Sequence, residues 1–128
     1  MKVYVASKFE NRTRVQEVMA QLVTAGHEIT YDWTRNSQVS SIQAEADLDG
    51  VLDADALVLI VEDDLPYRGA LVEFGIALGA GIPVFVMGNA LDERCIFFKL
   101  RESCGVIRGI EELLTLLARC AAHSSGVY

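Results

Sequence analysis

The chain has 128 residues, of which 52% are hydrophobic and 23% charged, so it can bury a core and is neither a disordered nor a fibrous sequence. Eleven basic against 18 acidic residues leave a net charge of -7, which argues against a nucleic-acid polymer as partner, because no basic face is easily assembled. Three cysteines, Cys95, Cys104 and Cys120, lack metal-ligand spacing, and His27 and His123 have no neighbouring ligands; this suits a reducing compartment with no structural metal and no cofactor. No apolar run approaches the about 18 residues of a membrane span, and the first residues are too short for a signal segment. The expectation is a single cytoplasmic domain over residues 1–128 with no membrane partner.

Val3 to Ala6 reads as a buried first strand followed by a polar loop, Ser7 to Asn11. Val15, Val18, Met19, Leu22 and Val23 recur at helical spacing, and Gly26 stops them where a helix end needs a left-handed residue. His27 to Tyr31 predicts a second strand, with Trp33 just past its end. Ala44, Asp47, Leu48, Val51 and Leu52 form the next helical stripe, expected to face inward, while Glu45, Asp49 and Asp53 fall on a solvated face.

Ala56 to Val61 is a continuous apolar run, the pattern of a central parallel strand covered on both sides. A loop from Glu62 to Arg68 leads into a helix over about Gly69 to Ala80, and Gly81 precedes a strand from Ile82 to Met87. The fifth strand is either Cys95 to Phe98 or the competing Gly105-Val106-Ile107, and Ile110 to Leu117 make the last helix. Alternating strands and helices predict an α/β fold: a doubly wound, mainly parallel five-stranded sheet with helices on both faces, of Rossmann or flavodoxin-like type. In such sheets ligands bind beyond the carboxyl ends of the strands, which gathers Ser7, Lys8, Trp33, the Glu62 to Arg68 loop and Gly69 on one edge.

Glu73 and Asp47 are carboxylates on stripes expected to face the interior, on helices flanking one strand. Two such groups in apolar surroundings have raised pKa values and do not ionise together easily, so one can hold a proton while the other attacks, as cleavage at an anomeric carbon requires. The plainer alternative makes Glu73 an electrostatic partner of its helix N-terminus and Asp47 a boundary residue.

The segments Asp47 to Val58 and Gly69 to Leu78 resemble the two signature segments of the nucleoside 2-deoxyribosyltransferase family, which includes the 2'-deoxynucleoside 5'-monophosphate N-glycosidases. Val3 to Ser7 and the terminal Gly126-Val127-Tyr128 resemble the family's first strand and C-terminus. The resemblance implies an N-glycosidase or deoxyribosyltransferase-like enzyme that cleaves the N-glycosidic bond of a (deoxy)nucleoside or its 5'-monophosphate, by hydrolysis or base transfer. By the same likeness Glu73 is the nucleophile, Asp47 helps bind and activate the substrate, and Tyr4 orients Glu73.

Gly69 would let substrate approach the backbone, and Tyr128 would enter a neighbouring subunit's site in a homodimer or larger homo-oligomer. Where the transferases carry an acid and the monophosphate glycosidases a serine, this chain has Tyr67, with Arg68 beside it. Ser7 matches the phosphate-loop serine, and Lys8, Arg12 and Arg68 are either phosphate donors or surface cations. Trp33 either stacks on a nucleobase or anchors packing. Two other readings stay open: a non-catalytic nucleotide-binding module on this scaffold, and a glycohydrolase of another nucleotide.

Overall fold

The computed structural model describes residues 1–36, 39–63, 66–88, 95–100 and 104–124. Tyr128, assigned above to a neighbouring subunit's site, lies outside the described residues. Five strands, β1 (Lys2–Ala6), β2 (Glu28–Ile29), β3 (Ala56–Val61), β4 (Val84–Gly88) and β5 (Cys104–Ile107), form one parallel sheet in the order β2-β1-β3-β4-β5. The helices are α1 (Arg12–Thr24), α2 (Ser41–Leu52), α3 (Arg68–Gly79) and α4 (Ile110–Ser124).

Because side chains alternate along a strand, each strand feeds two cores. Tyr4, Leu57, Leu59 and Val86 pack with Val51 of α2 and Ala70, Phe74 and Ala77 of α3. On the other face Val3, Val5, Val58 and Ile60 pack with Val15, Val18 and Leu22 of α1 and Leu113 and Leu117 of α4. All six residues of β3 are buried, as its unbroken apolar run requires of a strand covered on both sides. The helix stops are glycines with positive φ, Gly26 at 96° and Gly81 at 75°. In both, the next residue's amide reaches back to close the end, His27 to the Leu22 carbonyl at 3.0 Å and Ile82 to that of Ala77 at 2.9 Å.

The structure revises three expectations. Cys95 to Phe98 is not a strand: Ile96–Lys99 is a short 3-10 helix, and Cys104–Ile107 pairs in parallel with β4. The former segment buries only Phe98, which meets Phe74 edge-on at 5.3 Å between ring centroids, whereas β5 buries both its ends, Cys104 and Ile107. The second strand shrinks to Glu28–Ile29, because Asp32 caps a 3-10 turn over Trp33–Arg35, accepting from the Thr34 amide at 3.0 Å. On α2, only Val51 and Gly50 are buried; Ala44, Leu48 and Leu52 face outward, the first two beside a pocket. No described helix is long and apolar enough to cross a membrane.

Candidate active site

The strand order reverses between β1 and β3, and the chain leaves the sheet in opposite directions there. A pocket of about 820 Å³ opens at this point, bounded by the loop after β1, the start of α3, and α2. Of the eleven candidate residues named from the sequence, nine bear on it. Ser7, Lys8, Trp33, Asp47, Tyr67, Arg68, Gly69 and Glu73 line it, and Tyr4 reaches it from beneath through Glu73.

Glu73 stands in the second turn of α3, above β1. Tyr4, wholly buried, donates its phenolic hydrogen to Glu73 Oε2. Burial raises the Glu73 carboxyl to about 7; the Tyr4 hydrogen bond opposes that rise, and the nearby Asp47 carboxylate adds to it. Burial, and then the Glu73 charge, drive the Tyr4 phenol far above its ordinary value, so it remains a donor throughout the accessible pH range. Asp47 is raised by burial, and its Oδ1 is buried with no hydrogen-bond partner among the described residues. An unpartnered buried carboxylate oxygen costs free energy unless something else occupies its lone pairs.

Gly50 makes this arrangement possible. A Cβ there would stand 2.9 Å from Tyr31 Cβ and 3.1 Å from two atoms of the Tyr4 ring, so its absence lets α2 lie against Tyr4. Gly69 differs: a Cβ there meets nothing within 4 Å, and the space above it is the pocket.

At the β1 end, Ser7 Oγ donates to the Ile60 carbonyl at 2.8 Å. Lys8 is 7% exposed and ion-paired with Asp63, and its Nζ lies 5.0 Å from the Tyr67 ring centroid. Tyr67 is buried, its hydroxyl accepting from the Asn11 amide at 3.0 Å and the Glu62 backbone at 3.1 Å. Arg68 is exposed on the rim. Arg12 is set apart: its guanidinium lies over the Phe9 ring, 4.5 Å from the centroid, and it is not part of the lining. Trp33 lines the pocket while its indole N–H donates to the Val5 carbonyl at 2.7 Å, so the ring is held in place from behind.

Sequence reasoning missed Asp63, Asn11 and Gly50. Asp63 carries a readable signal, since it lies two residues past the end of β3 at the switch point, but its partner depends on how two loops meet. Among the described residues no group of three or more His, Cys, Asp or Glu side chains is placed to hold a metal ion.

Solved structures share this fold. A 2-deoxyribosyltransferase from the psychrotolerant bacterium Bacillus psychrosaccharolyticus superposes with a TM-score of 0.70 at 18% identity, covering 89% of this chain and 90% of that one. The CMP N-glycosidase BcmB of Clostridium botulinum gives 0.66 at 18% identity, over 92% and 98% of the two chains. A conserved protein from Enterococcus faecalis V583 gives 0.68 at 20% identity, over 90% and 95%. No family model matches the sequence, and a search of curated proteins returns no match.

Proposed function

We propose that this chain is an enzyme that cleaves the N-glycosidic bond of a (deoxy)nucleoside or its 5'-monophosphate, with Glu73 as nucleophile, by hydrolysis or base transfer. The observation that carries this reading is the pairing of Glu73 with the Tyr4 phenol on the floor of the pocket, with the Asp47 carboxylate, whose buried Oδ1 has no partner among the described residues, close enough to raise it. The activities of the transferase and the CMP N-glycosidase that share the fold support it.

In the first step a Glu73 oxygen bonds to the anomeric carbon as the carbon–nitrogen bond breaks, and the electron pair leaves with the base. Asp47, a carboxylate beside Glu73, helps bind and activate the substrate, and the departing base takes its proton from water. Water, or a second base, then attacks the anomeric carbon and gives its proton to Asp47 as the Glu73 carboxylate leaves. Tyr4 holds the attacking oxygen's partner in place and stabilises the carboxylate on its return.

A homodimer or larger assembly belongs to the same reading, and the exposure of Ile42 and Leu52 on α2, outside the pocket, supports it. Incubation with a panel of nucleosides and nucleotides, dinucleotides included, is the test. Free base should appear and should vanish in Glu73→Gln, with a glycosylated peptide containing Glu73 trapped by mass spectrometry. Ligand-induced thermal shifts without turnover, unchanged in Glu73→Gln, would instead favour a non-catalytic nucleotide-binding module.

A further inference from the structure

With the anomeric carbon at Glu73, the pocket has two unlike sides. The outer faces of α2 and α3 supply Leu48, Val72 and Ile76, with Trp33 completing an apolar wall suited to a flat base. The polar side, where the loop after β1 meets the start of α3, is left for the hydroxymethyl end of the sugar, or for a phosphate carried on it.

The groups on that side are already joined to one another. Ser7 Oγ is committed to the Ile60 carbonyl and accepts from Asn11 at 3.2 Å. The Tyr67 hydroxyl collects Asn11 and the Glu62 amide and stands 3.4 Å from Asp63 Oδ1. Lys8, the buried cation an anion would seek, is neutralised by Asp63 and covered by the Tyr67 ring. A phosphate dianion would have to displace Asp63 and then face Glu10, Asp47 and Glu73, with Arg68 on the exposed rim as the other lining cation. An exposed single cation is strongly screened and offsets little of this.

We propose that the Lys8–Asp63 pair and the Tyr67 hydroxyl make this pocket select substrates that are uncharged at the 5' position, nucleosides over their 5'-monophosphates. Asp63 and Tyr67 are then specificity-determining residues, a conclusion that rests on the glycosidic-bond reading of the site.

The full chain is tested with the common ribo- and deoxyribonucleosides and their 5'-monophosphates, by thermal shift and by release of free base. Nucleosides should give the larger shift and a kcat/KM at least about tenfold higher than their monophosphates, one well-placed charge interaction being worth roughly a factor of ten. Asp63→Asn frees the Lys8 charge, and Tyr67→Ser opens the space in front of it. Each should improve the monophosphate-to-nucleoside ratio by about tenfold, mainly through KM. Wild-type preference for monophosphates, or a ratio unmoved in folded forms of both variants, overturns the proposal. A nucleoside-selective thermal shift with no base released would keep the selectivity and remove the glycosidase reading. Base release that favours monophosphates does the reverse, and an absence of both shift and release removes both.

Discussion

The phenol of Tyr4 donates its hydrogen to Oε2 of Glu73, 69 positions later in the chain. One residue comes from the first strand and the other from the helix after the third, so the bond crosses the place where strand order reverses. The hydrogen bond favours the ionised carboxyl while burial disfavours it, and burial wins, leaving Glu73 near 7. A nucleophile tuned to that value is half charged at neutral pH.

Activity should therefore rise with pH along a limb centred near 7, set by ionisation of Glu73. Stability moves the other way. Glu73 ionises near 4.5 in the unfolded chain, so between 4.5 and about 7 the folded state binds the extra proton, and stability falls as pH climbs through that window. The loss is on the order of 3 kcal/mol once pH exceeds the folded value. Glu73→Gln carries no such charge, so its melting temperature should exceed the wild type's at pH 8 and match it more closely at pH 4.5. Parallel melting temperatures across pH 4.5 to 8 would mean that Glu73 is not held in a desolvating site.

Tyr4→Phe keeps the buried ring and removes only the donor. Since the hydrogen bond lowers the Glu73 value, its loss should push that carboxyl higher and shift the acid limb of the pH-rate profile to higher pH. Above the limb the variant should also be less stable by about 2 kcal/mol, the usual worth of a hydrogen bond to a charged group. A pH-rate profile and chemical denaturation at pH 8 measure both. An unshifted limb would detach Tyr4 from the nucleophile.

Much of this geometry was legible beforehand because it follows from periodicity. An apolar run with no polar interruption, Ala56 to Val61, fits a strand covered on both faces, and the helices before and after it then place Asp47 and Glu73 beside it. The glycines at 26 and 81 could be read as stops because a left-handed backbone there needs glycine. The Lys8–Asp63 pair was not legible: its members are 55 positions apart, and only the meeting of two loops brings them together. Cys95 to Phe98 looked like a strand because aromatic and β-branched residues favour both a strand and a buried turn, and only the contact of Phe98 with Phe74 decides between them.

Gly50→Ala tests the packing beneath the site. Alanine in a helix interior gains up to about 1 kcal/mol over glycine, but the new Cβ would press on Tyr31 and Tyr4 at 2.9 and 3.1 Å, and overpacking costs about 1 to 3 kcal/mol. The clash should win, lowering the melting temperature and displacing the Tyr4 ring, so that kcat falls more than KM rises. A gain in stability with unchanged kcat would show that α2 can retreat without moving Tyr4.

Trp33 offers the most direct measure of where a ligand sits. It is the one tryptophan of the chain, its ring lines the pocket, and its indole N–H is pinned to the Val5 carbonyl at 2.7 Å, so its emission reports on the pocket alone. A nucleobase against the apolar wall should quench that emission in a saturable titration. The midpoint should match the thermal-shift titration of the same ligand. Trp33→Phe keeps an aromatic face but gives up the N–H, leaving the Val5 carbonyl without that partner; it should lower stability by about 1 to 3 kcal/mol and abolish the signal. If saturating ligand that raises the melting temperature left the emission untouched, the base would have to lie away from Trp33, and the apolar wall of α2 and α3 would not be its seat.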